Sequence, residues 1–410
     1  MHKAVISVLA WRNIWRNRRR TLLTLLAVAF SSAVLVFFMS LQLSSYDTSI
    51  NASVSIFQGH LQVQPTGYFK KPKMYHFIRE PRALIKNLAE LKGITAVAPR
   101  AYAYVLVSSA RRTVGAQVAG VDPELEKNVS TIPGLVREGE YLSADDLYQA
   151  VIGQDLAHNL GVSTGEQITV LGQGQDGSMA AAAFQVVGIF QSGSRDLDRA
   201  LIEVPLKIFQ EVFYLGDAAH TIVIKASSRH RLAELKKNIS ARLKNKKLSV
   251  YSWEELMPGL KQAIELDMAS GWLFYISLIL IVVFSVFNTF LMSILERTRE
   301  FGVMLSLGMK PASIIKMVIL ENVFLSLLGV FSGIVIGSLV VIYYGIHGFY
   351  IPGAEEIMKL WNLPTAVKTR LSLRGTLSGP AVIIAANFVV AFIPALKLLR
   401  LQPVEAMRAV

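Results

Sequence analysis

The sequence contains no cysteine among its 410 residues. That absence excludes disulfides, thiolate catalysis, cysteine-based zinc sites and iron–sulfur clusters. Charged residues are also scarce, at 17% of the chain, whereas a soluble domain carries about a quarter. Combined with a hydrophobic share of 52%, this scarcity indicates a membrane protein with a substantial water-exposed part.

Motifs that would mark a catalytic or nucleotide-binding site are missing as well. The sequence has no G-x-x-x-x-G-K-[ST], no H-E-x-x-H and no G-x-S-x-G. Its one G-x-G-x-x-G, at 172–177, leads into "SMAAAAFQVVGIF", which predicts a second strand where a dinucleotide site needs a helix. We interpret it as a glycine-rich hairpin and expect no catalytic residue, cofactor or metal site in this chain.

What is abundant is apolar sequence in runs long enough to cross a bilayer, which takes about 20 residues. The first run is too long for a cleavable signal peptide, whose apolar region has about 7–15 residues. We predict four transmembrane helices, at 22–43, 272–293, 317–344 and 378–399. The segments around them are a basic amphipathic helix at 1–21, a large domain at 44–271, loops at 294–316 and 345–377, and a tail at 400–410.

The distribution of lysine and arginine predicts the orientation of these spans. Basic residues flank the membrane at 1–21, 294–316 and 400–410, three segments that share one side of a four-span protein. Because such flanks are cytoplasmic, we place both termini in the cytoplasm and 44–271 outside it. Basic residues that flank the membrane spans then account for the net charge of +13, and we expect no nucleic-acid partner.

The 44–271 segment reads as a mixed α/β domain. Apolar alternation predicts strands at 59–64, 95–109, 166–172, 184–190 and 220–226. Apolar residues three and four apart predict helices at 81–93, 153–161, 205–213 and 229–245. Ser252 and Glu255 form a helix-capping pattern that begins a helical stalk over 253–271, with Pro258 and Gly271 as the two places for a bend.

The stretch "ERTREFGVMLSLGMKP", at 296–311, is more than the short link that two spans require. It begins with a charged turn, and Gly308 is placed to end a helix in the left-handed conformation. Three interpretations remain open: a tight turn, a lipid-surface helix, or a docking helix for a cytoplasmic partner. The charged turn consists of Glu296, Arg297, Arg299 and Glu300, and the predicted apolar face of Phe301, Met304, Leu305 and Leu307.

The third span carries two further features. Gly329, Gly333 and Gly337 form a double G-x-x-x-G, which permits close helix packing; we favour packing against a span of the same chain over a second subunit. Glu321 is a membrane-interface acidic residue one turn inside the span. An intramembrane carboxylate usually has a functional role, but one at this depth near Lys316 is equally consistent with a salt bridge at the interface.

These motifs resemble the FtsX-like (MacB/Lol-type, type VII) permeases of ABC transporters. The segment 296–337 is similar to that family's E-R-x-x-E-x-G start, its L-G-M turn, the acidic residue entering the third span and the glycine-rich span. "AWRNIWRNRRRTLLTLLAVAF", "VIGQDLAHNLGVSTGEQITV" and "LLRLQPVEAMRAV" extend the likeness over the chain. Within the family, the chain looks most like the lipoprotein-releasing LolC/LolE branch.

The resemblance implies an integral membrane α-helical protein with four transmembrane helices and a large extracytoplasmic mixed α/β domain, the MacB-like periplasmic core domain. It also implies a dimer, with a second permease copy or a paralogue, in the bacterial inner membrane. Two copies of a separate ABC ATPase would handle ATP and Mg. The 296–309 helix would dock on that ATPase as the coupling helix, through positions Glu296, Arg297, Arg299, Glu300, Gly302, Leu305 and Gly308.

The implied function is to extract or export lipoproteins, or another amphipathic substrate, from the outer leaflet. The alternative is a mechanotransmission permease that drives a cell-wall hydrolase or an efflux adaptor and transports nothing. In the lipoprotein-releasing branch, the subunit that recruits the periplasmic carrier has an extended hairpin, where this chain has the short "GQGQDGSMAAAA". This loop therefore gives no support for carrier recruitment.

Overall fold

The computed structural model describes residues 2–143, 148–243, 247–353, 355–360 and 365–397, so the predicted tail at 400–410 lies outside the described residues. The helices are α1 (His2–Ile14), α2 (Arg18–Ile56), α3 (Pro81–Ala89), α4 (Pro123–Val129), α5 (Gln154–Leu160), α6 (Arg195–Ala200), α7 (Leu206–Val212), α8 (Leu232–Leu243), α9 (Trp253–Leu256), α10 (Pro258–Glu296), α11 (Thr298–Ser306), α12 (Pro311–His347), α13 (Glu355–Leu360) and α14 (Leu373–Lys397). A short 3₁₀ turn, Trp15–Asn17, joins α1 to α2.

The strands lie mostly between α2 and α10. They are β1 (Leu61–Pro65), β2 (Ile78–Arg79), β3 (Ile94–Ser108), β4 (Thr113–Val121), β5 (Val136–Gly139), β6 (Gln149–Gly153), β7 (Gln167–Gln173), β8 (Met179–Phe190), β9 (Leu201–Pro205), β10 (Ala218–Ala219), β11 (Thr221–Ala226), β12 (Leu248–Ser252), β13 (Phe349–Tyr350) and β14 (Ala366–Val367).

The chain divides into two compact units. The first, here called the membrane unit, comprises Met1–Asp47, Ile264–Pro352 and Ala366–Val410. The second, here called the α/β unit, comprises Thr48–Ala263 and Gly353–Thr365. Four of the described helices are long and apolar enough to cross a membrane, in the segments Ile6–Ile56, Pro258–Glu296, Pro311–His347 and Leu373–Ala395. Together with the sheets of the α/β unit, these helices confirm the predicted fold class.

The predicted stalk is part of a longer helix. Glu255 accepts hydrogen bonds from the backbone N–H (2.8 Å) and the hydroxyl (3.0 Å) of Ser252, which confirms the capping pattern. The helical path is interrupted at Met257, because the residue before a proline is pushed out of the α conformation. From Pro258 the helix α10 then runs unbroken past Gly271. The interruption at Met257 therefore coincides with the place for a bend expected at Pro258, whereas α10 is continuous at Gly271.

Part of the α/β unit has a βαββαβ arrangement. The strands β12, β1, β11 and β3 lie side by side in that order, and every pair among them is antiparallel. Helix α3 connects β1 to β3 and packs on β3, while α8 connects β11 to β12 and packs on β12. The apolar residues at helical spacing in α8, such as Leu235 and Ile239, are buried.

Six strands of this sheet form a closed ring. Strands β3, β4, β9, β6, β8 and β7 pair in turn, and β7 returns to pair with β3. Inward-facing residues of alternating sequence fill this ring, among them Val105, Ile168 and Phe184. The β7–β8 connection is a tight turn in which Gly174 N–H donates to Ser178 O (2.8 Å), which confirms that 172–177 forms a glycine hairpin.

Several elements were not predicted, among them strands β4, β5, β6, β9 and β12 and helices α4 and α6. Glycines at 115 and 120 interrupt the apolar pattern of β4, and β9 and β12 each have only five residues. Such short segments acquire their conformation from neighbouring strands and have little pattern of their own.

A buried polar network lies beside the ring. Arg100 and Glu126, both fully buried, form a bidentate pair with N···O distances of 3.0 and 2.5 Å. Arg100 also donates to the carbonyl oxygen of Phe57 (2.5 Å) and its guanidinium lies 3.9 Å from the centre of the Phe57 ring. Glu203 accepts a hydrogen bond from the Tyr141 hydroxyl (2.8 Å). Burial, and then the negative charge of Glu126, raises the pKa of Glu203 to about 8.

Candidate coupling site

Helix α11 lies between the spanning helices α10 and α12, and its end is defined by a glycine. Gly308 has φ +88°, a value that only glycine adopts without strain. Its N–H donates to Leu305 O (3.0 Å), and the N–H of Met309 donates to Met304 O (3.0 Å). These two bonds are a Schellman motif, which satisfies the last carbonyl groups of α11.

The apolar residues of α11 are divided between two faces. Phe301 and Gly302 are buried, and Met304 and Leu305 pack against the same cluster, which includes Ala10 of α1. Val303 and Leu307 instead have exposed fractions of 45% and 82%. The predicted single face is thus wrong in its inclusion of Leu307. The outward face of α11, as we call it below, consists of Arg299, Val303 and Leu307, which are all exposed and spaced four residues apart.

The charged turn before α11 is paired within the chain. Arg16 makes two parallel hydrogen bonds to Glu300, of 2.9 and 2.7 Å, and Arg20 is ion-paired with Glu296. Burial raises the pKa of Glu300, but hydrogen bonds from Arg16 and then Arg297 outweigh it, so its pKa lies below the ordinary glutamate value. Glu300 is therefore an anion at neutral pH, held by the segment that joins α1 to α2.

A second, more buried pair connects the same turn to α12. Arg297 contacts both carboxylate oxygens of Glu321, at 3.1 and 2.8 Å, and the two side chains are only 10% and 12% exposed. The amide of Asn13 donates to Glu321 as well (2.6 Å). Glu321 is thus ion-paired, but with Arg297 and not with Lys316, the neighbour suggested by the sequence.

These pairs surround a cavity of about 380 Å³ at one end of the membrane unit. Asn13, Arg16, Arg20, Arg297 and Glu321 line it. Ion pairs thus join Glu300 of α11 to the turn between α1 and α2, and Arg297, just before α11, to Glu321 of α12. No group of three or more histidine, aspartate or glutamate side chains that could hold a metal ion occurs among the described residues.

Sequence reasoning missed Asn13, Arg16 and Arg20 as members of this site. A signal was present, because Arg16 and Arg20 are four residues apart and so are Glu296 and Glu300. Two such pairs match when the segments run antiparallel, which is how Arg16 meets Glu300 and Arg20 meets Glu296.

The three glycines of α12 face α2 of the same chain. A Cβ atom at Gly329 would lie 2.8 Å from the Val28 side chain, and one at Gly337 would lie 2.9 Å from the Ala33 carbonyl oxygen. At Gly333 it would collide with Ala29 and Ser32. The absence of side chains lets the two helix backbones approach closely.

Comparison with known proteins agrees with this architecture. Residues 21–242, more than half of the chain, match the family model for the MacB-like periplasmic core domain. Residues 272–403 match the model for the FtsX-like permease C-terminal region. The chain belongs to the FtsX-like permeases with a MacB-like periplasmic core domain. The resemblance seen in its motifs is thereby confirmed, and this FtsX-like permease is a membrane protein of the ABC transporter permease type.

Its relatives include proteins of different named roles. The lipoprotein-releasing system transmembrane protein LolC of Neisseria meningitidis serogroup B is 21% identical, over 80% of this chain and 81% of its own. LolE of Haemophilus influenzae is 23% identical, over 80% of each chain. The pyoverdine export ATP-binding/permease protein PvdT of Pseudomonas entomophila is 25% identical over 97% of this chain, which spans 58% of PvdT.

A solved structure with a similar region is the periplasmic region of MacB from Actinobacillus actinomycetemcomitans. It is 14% identical, covers 52% of this chain and 94% of that chain, and has a TM-score of 0.36. The family assignment rests on the family models and not on this likeness.

Proposed function

We propose that this permease couples ATP hydrolysis by a separate ABC ATPase to movement of its α/β unit, and thereby extracts or exports lipoproteins or another amphipathic substrate from the outer leaflet of the bacterial inner membrane. In this proposal the termini and α11 are cytoplasmic and the α/β unit is periplasmic. ATP and Mg are bound by the ATPase, which is present in two copies beside two permease subunits. The second permease subunit is a copy of this chain or a paralogue.

The observation that carries this proposal is the way α11 is built into the membrane unit. Two ion pairs, Glu300 with Arg16 and Arg297 with Glu321, join its charged turn to the rest of the membrane unit. Its outward face presents two exposed apolar side chains and the cation Arg299, which forms no ion pair among the described residues. One face of α11 is therefore bound within the membrane unit, and the opposite face is available to a partner that could move the helix; we call this arrangement a lever.

The proposed mechanism follows from these contacts. The ATPase binds the outward face of α11 through Val303 and Leu307, so that closure of the ATPase pair pushes on α11. The buried Arg297–Glu321 pair passes this push to α12, and the Arg16–Glu300 pair passes it to α1 and α2. Helix α10 ends at Glu296, two residues before α11, and carries the movement towards Pro258.

Mechanotransmission without transport is the second candidate. The observation in its favour is the tight β7–β8 turn, in which Gly174 and Ser178 are hydrogen-bonded, because it leaves no extended hairpin at that position to recruit a carrier. Similarity to LolC and LolE supports lipoprotein release, while similarity to PvdT supports export of a different substrate class.

Reconstitution separates these candidates. The full-length permease is combined with its ABC ATPase partner in proteoliposomes that contain a fluorescent acylated protein. ATP-dependent loss of the acylated protein from the vesicles is expected, and an ATPase variant without its P-loop lysine is the control. If ATP is hydrolysed at a rate that depends on the permease but no acylated protein leaves, release of acylated proteins is refuted and mechanotransmission is supported.

A further inference from the structure

One edge of the sheet in the α/β unit is open. Strand β12 is the last strand on its side, because it pairs with β1 alone. Thr66 N–H donates to Lys247 O (3.0 Å) at one end of this pairing, and Trp253 N–H donates to His60 O (3.1 Å) at the other. The backbone groups of residues 247, 249, 251 and 253 therefore face β1.

The intervening residues face the other way. Because backbone groups alternate sides along a strand, the N–H and C=O groups of Leu248 and Val250 point away from β1. None of the backbone hydrogen bonds within the described ranges uses these four groups. The N–H of Ser252, which also points outward, is already bonded to Glu255. The unpaired part of the edge is thus Leu248–Val250, where two N–H and two C=O groups have no partner among the described residues.

An open cleft of about 880 Å³ lies where this edge begins. Lys247 and Leu248 line it on the strand side. Tyr75, Phe77 and Arg79, from the segment between β1 and α3, line it on the other side. The Tyr75 ring is 55% exposed, so the cleft offers an aromatic surface next to free backbone groups.

The rim of the cleft is strongly basic. Lys247 and Arg79 are exposed, and the exposed Lys73 holds its ammonium 5.3 Å from the centre of the Tyr75 ring. Arg82, also exposed, belongs to the first turn of α3 beside the cleft residue Ala83. None of these four cations forms an ion pair among the described residues, and Glu80 is the acidic residue of the lining.

We propose that the β12 edge and this basic cleft bind an extended acidic segment of a partner protein by strand addition. The added strand pairs with the outward backbone groups of Leu248 and Val250, and its carboxylates bind Lys247 and Arg79. Strand addition supplies affinity through the main chain, and the cleft supplies selectivity through charge and aromatic contact. The site lies in the α/β unit and does not depend on the function proposed for α11.

A basic sheet edge has two simpler roles in proteins. Lysine at such an edge can serve only to prevent aggregation, and basic residues with exposed aromatic rings can bind an anionic lipid surface. A peptide fits better than lipid, because a lipid headgroup cannot pair with the N–H and C=O groups of an extended strand. It also fits better than simple protection, because Arg79 and Lys247 line a cleft and do not merely flank the strand.

The test uses the full chain in phosphatidylcholine nanodiscs and a fluorescent heptapeptide, Val-Glu-Val-Asp-Val-Glu-Val. Its binding is measured by fluorescence anisotropy, beside one peptide with proline at alternate positions and one with lysine in place of the acidic residues. The protein variants are Arg79→Glu, Lys247→Glu and, as a matched control, Lys207→Glu, an exposed lysine on α7. Flotation with phosphatidylglycerol vesicles is measured on the same variants.

We expect the acidic peptide to bind and the proline and lysine peptides to bind at least about tenfold more weakly. Arg79→Glu and Lys247→Glu should each weaken binding of the acidic peptide by about tenfold, and high ionic strength should weaken it further, while Lys207→Glu should not change it. Equal binding of the proline peptide overturns strand addition. If no acidic peptide binds, the proposal is overturned in favour of edge protection. If Arg79→Glu and Lys247→Glu reduce vesicle flotation but do not change peptide binding, it is overturned in favour of a lipid surface.

Discussion

Reversing the charge of Glu300 is the perturbation that tests the coupling site most directly. Glu300→Lys replaces a carboxylate that accepts two hydrogen bonds from Arg16 and one from Arg297 (3.2 Å) with a cation beside two arginines. The Arg16 and Glu300 side chains are 52% and 41% exposed, so the lost attraction is about 0.5–1 kcal/mol. Repulsion from the two arginines brings the total to about 1–2 kcal/mol, too little to prevent insertion.

The effect on coupling should exceed the effect on stability. If the pair transmits movement, Glu300→Lys and Arg16→Glu should each insert normally yet lose most ATP-dependent release, because α11 is no longer held to the α1–α2 segment. The swapped protein Arg16→Glu/Glu300→Arg restores the pair with opposite polarity and should recover release. Arg299→Glu, on the outward face, should impair release by weakening the ATPase contact, and no swap within the chain should restore it.

The assay is ATP-dependent release of acylated protein from proteoliposomes, with the amount of inserted permease measured in each sample. Arg111→Glu, an exposed position in the α/β unit, is the control for the change of charge alone. A swapped protein as inactive as the two single variants would refute the lever and indicate that Glu300 contacts the ATPase itself. Full activity of both single variants would remove the ion pair from the mechanism.

Three further predictions concern stability. Gly333→Leu should overpack the contact with α2 at a cost of about 1–3 kcal/mol and so lower the thermal unfolding temperature in detergent. Gly259→Ala, where a Cβ atom meets open space, should leave that temperature unchanged. Equal effects of the two variants would contradict the helix contact. Gly308→Ala should cost about 1 kcal/mol from its positive φ, and an unchanged melting temperature would contradict the Schellman motif. Because the pKa of Glu203 is raised from 4.5 to about 8, the folded protein holds a proton that the unfolded chain has lost, so stability should fall as pH rises over that window. Glu203→Gln should remove most of that fall in melts between about pH 5 and pH 8, and an unchanged slope would refute it.

Much of the membrane unit was predictable because its signals are local. A run of about 20 apolar residues is required by the thickness of a bilayer, whatever the rest of the chain does. The end of α11 was predictable from Gly308, since few other residues adopt its conformation. Family motifs in 296–337 identified the class of protein, and the family models agree.

The α/β unit was predicted only where its pattern was strong. The long strands β3 and β8 and the amphipathic helices α3 and α8 have clear periods, and all were expected near their observed positions. Pairing order had no local signal, because the closed ring depends on contacts such as β3 with β7, which are more than 60 residues apart in the chain. The open edge at β12 is equally a consequence of pairing order.

The sequence by itself determined the class of the protein, its four spanning helices and the presence of a short charged helix between two of them. The tertiary structure alone decided what that helix does with its charges. Glu300 meets Arg16 from a position 284 residues away, and Arg297 turns inward to Glu321. No period or motif links such distant positions; helix packing brings them together, and a carboxylate beside an arginine at low exposure then pairs with it because both have lost part of their water.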